Sequence, residues 1–133
     1  MQWMPKIIVG LVTAMYAALG LGFMFFPSIV LSQPDFALIP NGVAGLSTAR
    51  GVFGGHFIAM ALLCVHGLRS SRYDILKIVA LLIAFVAFGR LVGVILDGVH
   101  PKAIVGLVVE VLATAGLLFG ARRLEGLDQK ATR

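Results

Sequence analysis

Four long apolar runs constrain this chain more than any other feature, because a bilayer is the environment that such runs fit. A hydrocarbon core about 30 Å thick takes roughly 20 helical residues to cross. The runs cover 7–26, 42–68, 75–96 and 103–121. They are too long for strands and lack the period-two alternation of a half-buried strand. The composition agrees: 59% of residues are hydrophobic and only 13% charged, whereas a soluble domain carries about a quarter charged. The expected fold is therefore all-α, an integral membrane four-helix bundle. One domain covers 1–124, and a polar, frayed tail follows over 125–133.

The boundaries have local causes. Pro27 ends the first run, and Pro101 suits the first turn of the last helix, where its missing N–H would have no partner anyway. Lys6 could head a signal peptide, but the run is too long, and "FMFF" at 23–26 replaces the small-residue cleavage pattern. The first run is read as a retained span. "GLRSSRYD" and "DGVHPK" are short turns, so the helices on either side of each are expected to be antiparallel neighbours. "PSIVLSQPDFALIPNG" is longer, with three prolines and one charge, Asp35. It is expected to lie at the outer interface as a lid, with one helical turn around Ile29 to Leu31.

The basic residues orient the spans. If both termini are cytoplasmic, the inside holds Lys6, Arg69, Arg72, Lys77, Arg122, Arg123, Lys130 and Arg133, and the outside only Lys102. That asymmetry is the positive-inside pattern. It also accounts for the net charge of +5 without nucleic acid, since the cations are scattered between apolar runs. The expected location is the bacterial inner membrane, multi-pass, N-in and C-in. The single Cys64 cannot form an intrachain disulfide and leaves the redox compartment unread.

Two further arginines, Arg50 and Arg90, fall inside spans, as does Glu110. Counted inward from the outer ends at 1.5 Å per residue, all three are expected roughly 10–13 Å below the outer side. A charge at a span centre is disfavoured by roughly 2.5–3.5 kcal/mol, so these side chains should face the protein interior and each other. Asp97 follows Arg90 by two turns on the same face, with Gly93 between. Glu110 by itself does not neutralise both arginines, which leaves room for an anionic ligand. The competing reading is a buried network that only fixes helix register.

His56 follows "RGVFGG" near mid-span, about 120° around an α-helix from Arg50. It is a site candidate, although a lone histidine is more often a packing residue. Gly51 and Gly55 form G-x-x-x-G, which allows close helix approach, and Gly20 and Gly22 are read the same way. Gly54 and Gly55 are expected to face another helix. His56, His66 and His100 fall at three depths, so no metal site is expected. No P-loop, dinucleotide fingerprint, HExxH or CxxC occurs, and no cofactor is expected. Trp3, Tyr16 and Tyr73 read as interfacial anchors or bundle contacts.

The runs "TARGVFGGHF" and "GRLVGVILDG", followed by a glutamate in the last span, resemble a bacterial four-span family catalogued as a domain of unknown function (number 4345). The resemblance covers nearly the whole chain. The family pattern falls on Asn41, Arg50, Gly54, Gly55, Gly89, Arg90, Asp97, Gly98 and Glu110. It implies a four-span fold and supplies no activity. The chain is also more loosely similar to small four-span families such as the DoxX-like proteins.

Three functions are compatible with these residues. The first is a binding or accessory protein whose ligand, a lipid headgroup, a quinone-like molecule or another amphipathic molecule with acidic or carbonyl oxygens, meets Arg50, Arg90, Glu110, Asp97, Asn41 and His56. The second is a membrane enzyme of isomerase or cyclase type, with Glu110, Asp97 or His56 in acid–base roles. The third is a proton-coupled transporter with Glu110 as carrier. Expected partners are membrane lipids, an amphipathic small molecule, and a second copy or a membrane complex, with no nucleic acid. The topology is testable by cysteine-accessibility labelling at positions 35 and 69. Position 35 should react from outside and position 69 from the cytoplasm, and labelling of position 35 only from the cytoplasm would overturn the orientation.

Overall fold

The structure is a computed structural model that describes residues 3–33 and 42–131. Among these residues all regular structure is helical: α1 (Trp3–Phe25), α2 (Pro27–Leu31), α3 (Gly42–Thr48), a π-helical segment (Ala49–Gly55), α4 (His56–Arg69), α5 (Tyr73–Leu96) and α6 (Pro101–Ala131). α1, the continuous stretch Gly42–Arg69, α5 and α6 are each long and apolar enough to cross a membrane. The chain is a four-span, all-helical membrane protein. In the connection after α1, α2 supplies the helical turn expected around Ile29 to Leu31 and begins two residues earlier, at Pro27. Asp35 and Asn41 lie outside the described residues.

Local chemistry sets the ends. α1 stops at Phe25 because a residue before proline is driven out of the α region, and Phe26 adopts φ −127°, ψ 48°. α5 ends at Leu96 with Asp97 as its C-cap, and the next residue, Gly98, has φ +104°. A residue with a Cβ would be strained there, so glycine closes the helix and turns the chain toward Pro101. Pro101 is the first residue of α6, as expected.

Two departures from the sequence reading matter. The segment 125–133, expected to be a frayed tail, continues α6 as far as Ala131. Its polar residues hold it to α5: Lys77 Nζ donates to Glu125 at 2.6 and 2.8 Å, and Tyr73 Oη donates to Asp128 at 2.8 Å. The second departure is the π-helical winding of "ARGVFGG". Its i→i+5 pattern widens the helix, so the angle counted from Arg50 to His56 on an α-helical wheel does not hold.

The chain divides into two compact units, Met1–Val12 with Leu63–Arg133, and Thr13–Leu62. In the second unit the backbones approach at glycines. A Cβ on Gly54 would lie 3.0 Å from Met24 N, and one on Gly20 would lie 2.8 Å from Ile58 N. The gap beside them is filled by rings: Phe23 stands 5.3 Å from Phe53 and 5.7 Å from Phe57, and Phe57 is 5.7 Å from Tyr16. Tyr16 is buried and is a packing contact. Gly51 and Gly55 meet nothing within 4 Å. The G-x-x-x-G reading of that pair, and the expectation that Gly55 faces a helix, are corrected. The π winding turns Gly54 inward in their place. Gly22 meets the Val30 side chain of α2 rather than a second span.

In the first unit α6 carries the small-residue stripe. A Cβ on Gly116 would lie 3.0 Å from Ile8 Cγ2, and one on Gly120 would lie 2.5 Å from Val9 Cγ2. Val9, Leu76, Val79, Ile83 and Leu117 are fully buried around them. Outside these contacts the helices are bare: only 22 to 28% of each apolar window is buried, which leaves most of that surface to lipid. In such a solvent apolar burial gives helices little reason to associate, and close packing and polar bonds decide the pairing.

Bulk at the two contact glycines should therefore tell. Gly54→Leu or Gly20→Leu should destabilise the protein by about 1–3 kcal/mol through overpacking, read as a lower melting temperature in detergent. Gly55→Leu should leave it nearly unchanged. Equal losses at positions 54 and 55 would remove the distinction.

Candidate functional site

The charges inside the spans do not all do the same thing. Glu110 is the buried charged residue among the described residues, 8% exposed. It projects from α6 toward α5, where Arg90 meets it with a forked contact. Arg90 Nε donates to Oε1 and Oε2 at 3.2 and 3.1 Å, and Nη2 donates to Oε1 at 2.8 Å. A planar guanidinium suits this bidentate geometry, and charge-assisted bonds are among the strongest available. Removed from water and mutually neutralised, the pair answers the cost that each charge would carry alone in an apolar span.

Gly106 makes the pairing possible, and it escaped the sequence reading. A Cβ there would fall 2.8 Å from Arg90 Cζ and 3.0 Å from Nε and Nη1, so the guanidinium lies across bare backbone on its way to Glu110. The signal was in the sequence: Gly106 precedes Glu110 by four residues, one turn along the same face. Thr114, one turn beyond, continues this polar stripe, and its hydroxyl is buried without a hydrogen-bond partner.

A second polar level lies at the far end of α5 and α6, where Lys77 meets Glu125 and Tyr73 meets Asp128. From the sequence, Lys77 serves only to orient the spans, Tyr73 reads as an anchor or bundle contact, and Glu125 and Asp128 fall in the polar tail with no partner assigned. Stepping from Arg90 back to Lys77 and Tyr73 covers 13 and 17 residues, within two of the 15 and 18 from Glu110 on to Glu125 and Asp128. Both levels fit one antiparallel register. A further ion pair, Arg72 with Asp74 at 2.8 Å, is exposed on both sides and adds little.

The other candidates are arranged differently. Arg50 lies in the π-helical segment, is exposed, and donates from Nη1 to the Met24 carbonyl at 3.2 Å. That carbonyl is among the last of α1, which have no intrahelical donor, and a cation there also complements the helix dipole. His56 is exposed with its ring edge-on to Phe57 at 6.2 Å. Asp97 is exposed and sits over Gly93, its Oδ2 being 3.6 Å from where a Cβ would stand. It makes no ion pair among the described residues. The backbone N–H of Lys102 donates to His100 Nδ1 at 3.3 Å. Asn41 lies outside the described residues.

A family model described as Domain of unknown function (DUF4345) matches residues 4–123, which includes both polar levels of α5. No curated protein and no solved structure matches the chain.

The Arg90–Glu110 pair is open to a thermodynamic test. Glu110→Ala strands a guanidinium and should cost about 3–5 kcal/mol, enough to prevent accumulation of folded protein. Combining Glu110→Gln with Arg90→Met removes both charges and should recover much of that loss in thermal unfolding. A double variant as unstable as Glu110→Ala would show that the pair is not the source of the effect.

Proposed function

Since the chain belongs to the DUF4345 family, whose description names no activity, we propose from its own geometry that it binds an amphipathic molecule bearing acidic or carbonyl oxygens, with Arg50 as the residue that meets them. The protein is placed by this reading in the bacterial inner membrane with both termini cytoplasmic, in line with the distribution of its basic residues.

One observation carries the proposal. Arg50 stands inside an apolar span, outward-facing, and its hydrogen-bond partner is a neutral backbone carbonyl. A cation in that setting costs about 2.5–3.5 kcal/mol, and a carbonyl offsets only part of it. A guanidinium has five N–H donors, so the contact to Met24 leaves capacity for an oxyanion. The π-helical winding around Arg50 supports the same reading, since such segments occur disproportionately at functional sites. His56, exposed at the end of that segment, is a secondary candidate for the same ligand.

The Arg90–Glu110 pair takes a different part, holding α5 and α6 in register. A carboxylate whose two oxygens both accept from one guanidinium is a poor general base, which weighs against acid–base catalysis at Glu110. Transport finds less support still: one span is wound irregularly, whereas transporters of that kind use a corresponding pair.

Native mass spectrometry of the purified protein tests the proposal. The wild type should retain an adduct that Arg50→Gln loses, with the melting temperature preserved to within the small change expected of an outward residue. The Arg90→Met, Glu110→Gln double variant should keep the adduct. An adduct retained in full by folded Arg50→Gln would defeat the assignment.

A further inference from the structure

A second feature, unrelated to Arg50, lies within the unit formed by Met1–Val12 and Leu63–Arg133. Between the first turn of α1 and the last turns of α6 is a groove of about 320 Å³ with Arg122, Arg123 and Lys130 on its walls and Met4, Pro5 and Leu127 among its apolar lining. We infer that this groove binds the headgroup phosphate of an anionic phospholipid.

The length of α6 sets where the groove lies. Its 31 residues rise about 46 Å, well beyond a hydrocarbon core of about 30 Å. Counted from Pro101, the core is used up near Ala121, so Arg122 and Arg123 stand at its edge, where phosphates lie. The rest of α6 runs beyond that edge with two unlike faces. Glu125 and Asp128 turn to α5 and are engaged there by Lys77 and Tyr73. Arg122, Gly126 and Lys130 follow one another turn by turn on the groove side, with Arg123 and Leu127 beside them.

This division sets the electrostatics of the groove. The acids that would neutralise its cations are held on the other face of the same helix, and no acidic residue lines the groove. None of Arg122, Arg123 and Lys130 is in an ion pair among the described residues. Arg123 is held in place by the Phe119 ring, 5.5 Å from its Cζ. Lys6, next to Pro5 and 5.8 Å over the Trp3 ring, adds a further cation to the same turn of α1. Three cations and an apolar floor at the membrane edge match a phosphodiester with its glycerol and upper acyl chain. Basic pockets between helices at the cytoplasmic face bind anionic headgroups in this way. A free phosphate would use the cations and leave the apolar lining unmatched.

The test titrates the full chain in detergent micelles with phosphatidylglycerol, and separately with phosphatidylcholine of the same acyl chains, reading bound lipid by native mass spectrometry. Wild type should prefer phosphatidylglycerol. At about fivefold per cation, Arg122→Gln with Arg123→Gln should weaken it about 30-fold and leave phosphatidylcholine binding and the melting temperature unchanged. Should that variant fail to fold, Lys130→Gln alone should still lose about fivefold. Arg50→Gln should keep the preference, which separates this site from the ligand proposed above. The inference is overturned if folded Arg122→Gln, Arg123→Gln protein keeps the wild-type preference. It is equally overturned if Arg72→Gln, which removes a cation outside the groove, lowers the preference as much as Lys130→Gln does. Displacement of the lipid by inorganic phosphate at equal concentration would also overturn it.

Discussion

The bond between Arg90 and Glu110 is the constraint from which the α5–α6 pair takes its arrangement. Lipid offers these helices no water to escape from, so apolar surface alone does not select one register over another. A guanidinium and a carboxylate inside the spans do select, because each is expensive until it meets the other. Once they meet, with three bonds between 2.8 and 3.2 Å, sliding α5 by one turn would separate them. Gly106 follows from the same requirement: the guanidinium must cross α6 to reach Glu110, and any side chain there would stand in its path.

At the other end of the two helices the polar contacts are of another kind. Lys77 and Glu125 are half-exposed, so their ion pair is worth less than the contact to buried Glu110, while Tyr73 is itself buried as it donates to Asp128. Their effect is directional. By drawing the acids of α6 toward α5 they give the last turns of a single helix one face of mixed charge and one of positive charge. The positive face is a consequence of where its counter-charges went.

In the unit Thr13–Leu62 glycine and winding replace charge as the organising elements. Gly20 and Gly54 let backbone meet backbone, and the rings of Tyr16, Phe23, Phe53 and Phe57 close the space beside them. The π-helical segment carries Gly54 inward and leaves Gly51 and Gly55 open. Arg50 lies on that same segment, bound to the end of α1 through the Met24 carbonyl. One irregular stretch thus both packs two helices and presents the cation assigned to ligand binding.

The sequence by itself determined the spans, their ends near Pro27 and Pro101, the helical class, and the need for Arg90 to find a carboxylate at its own depth. Those are properties of composition and length against a slab of fixed thickness, and they are local. Depth counting placed Arg50, Arg90 and Glu110 at one level because helical rise is constant, but it left open which arginine the carboxylate meets, and the structure pairs it with Arg90. The tertiary structure decided which glycines touch a neighbour, that Gly106 carries the guanidinium, that residues after Ala121 stay helical, and that Arg50 sits on a π-helical turn. None of these follows from a helical wheel. Each depends on the atoms of another helix, which select one face, one winding and one set of partners from several that the sequence pattern allows equally.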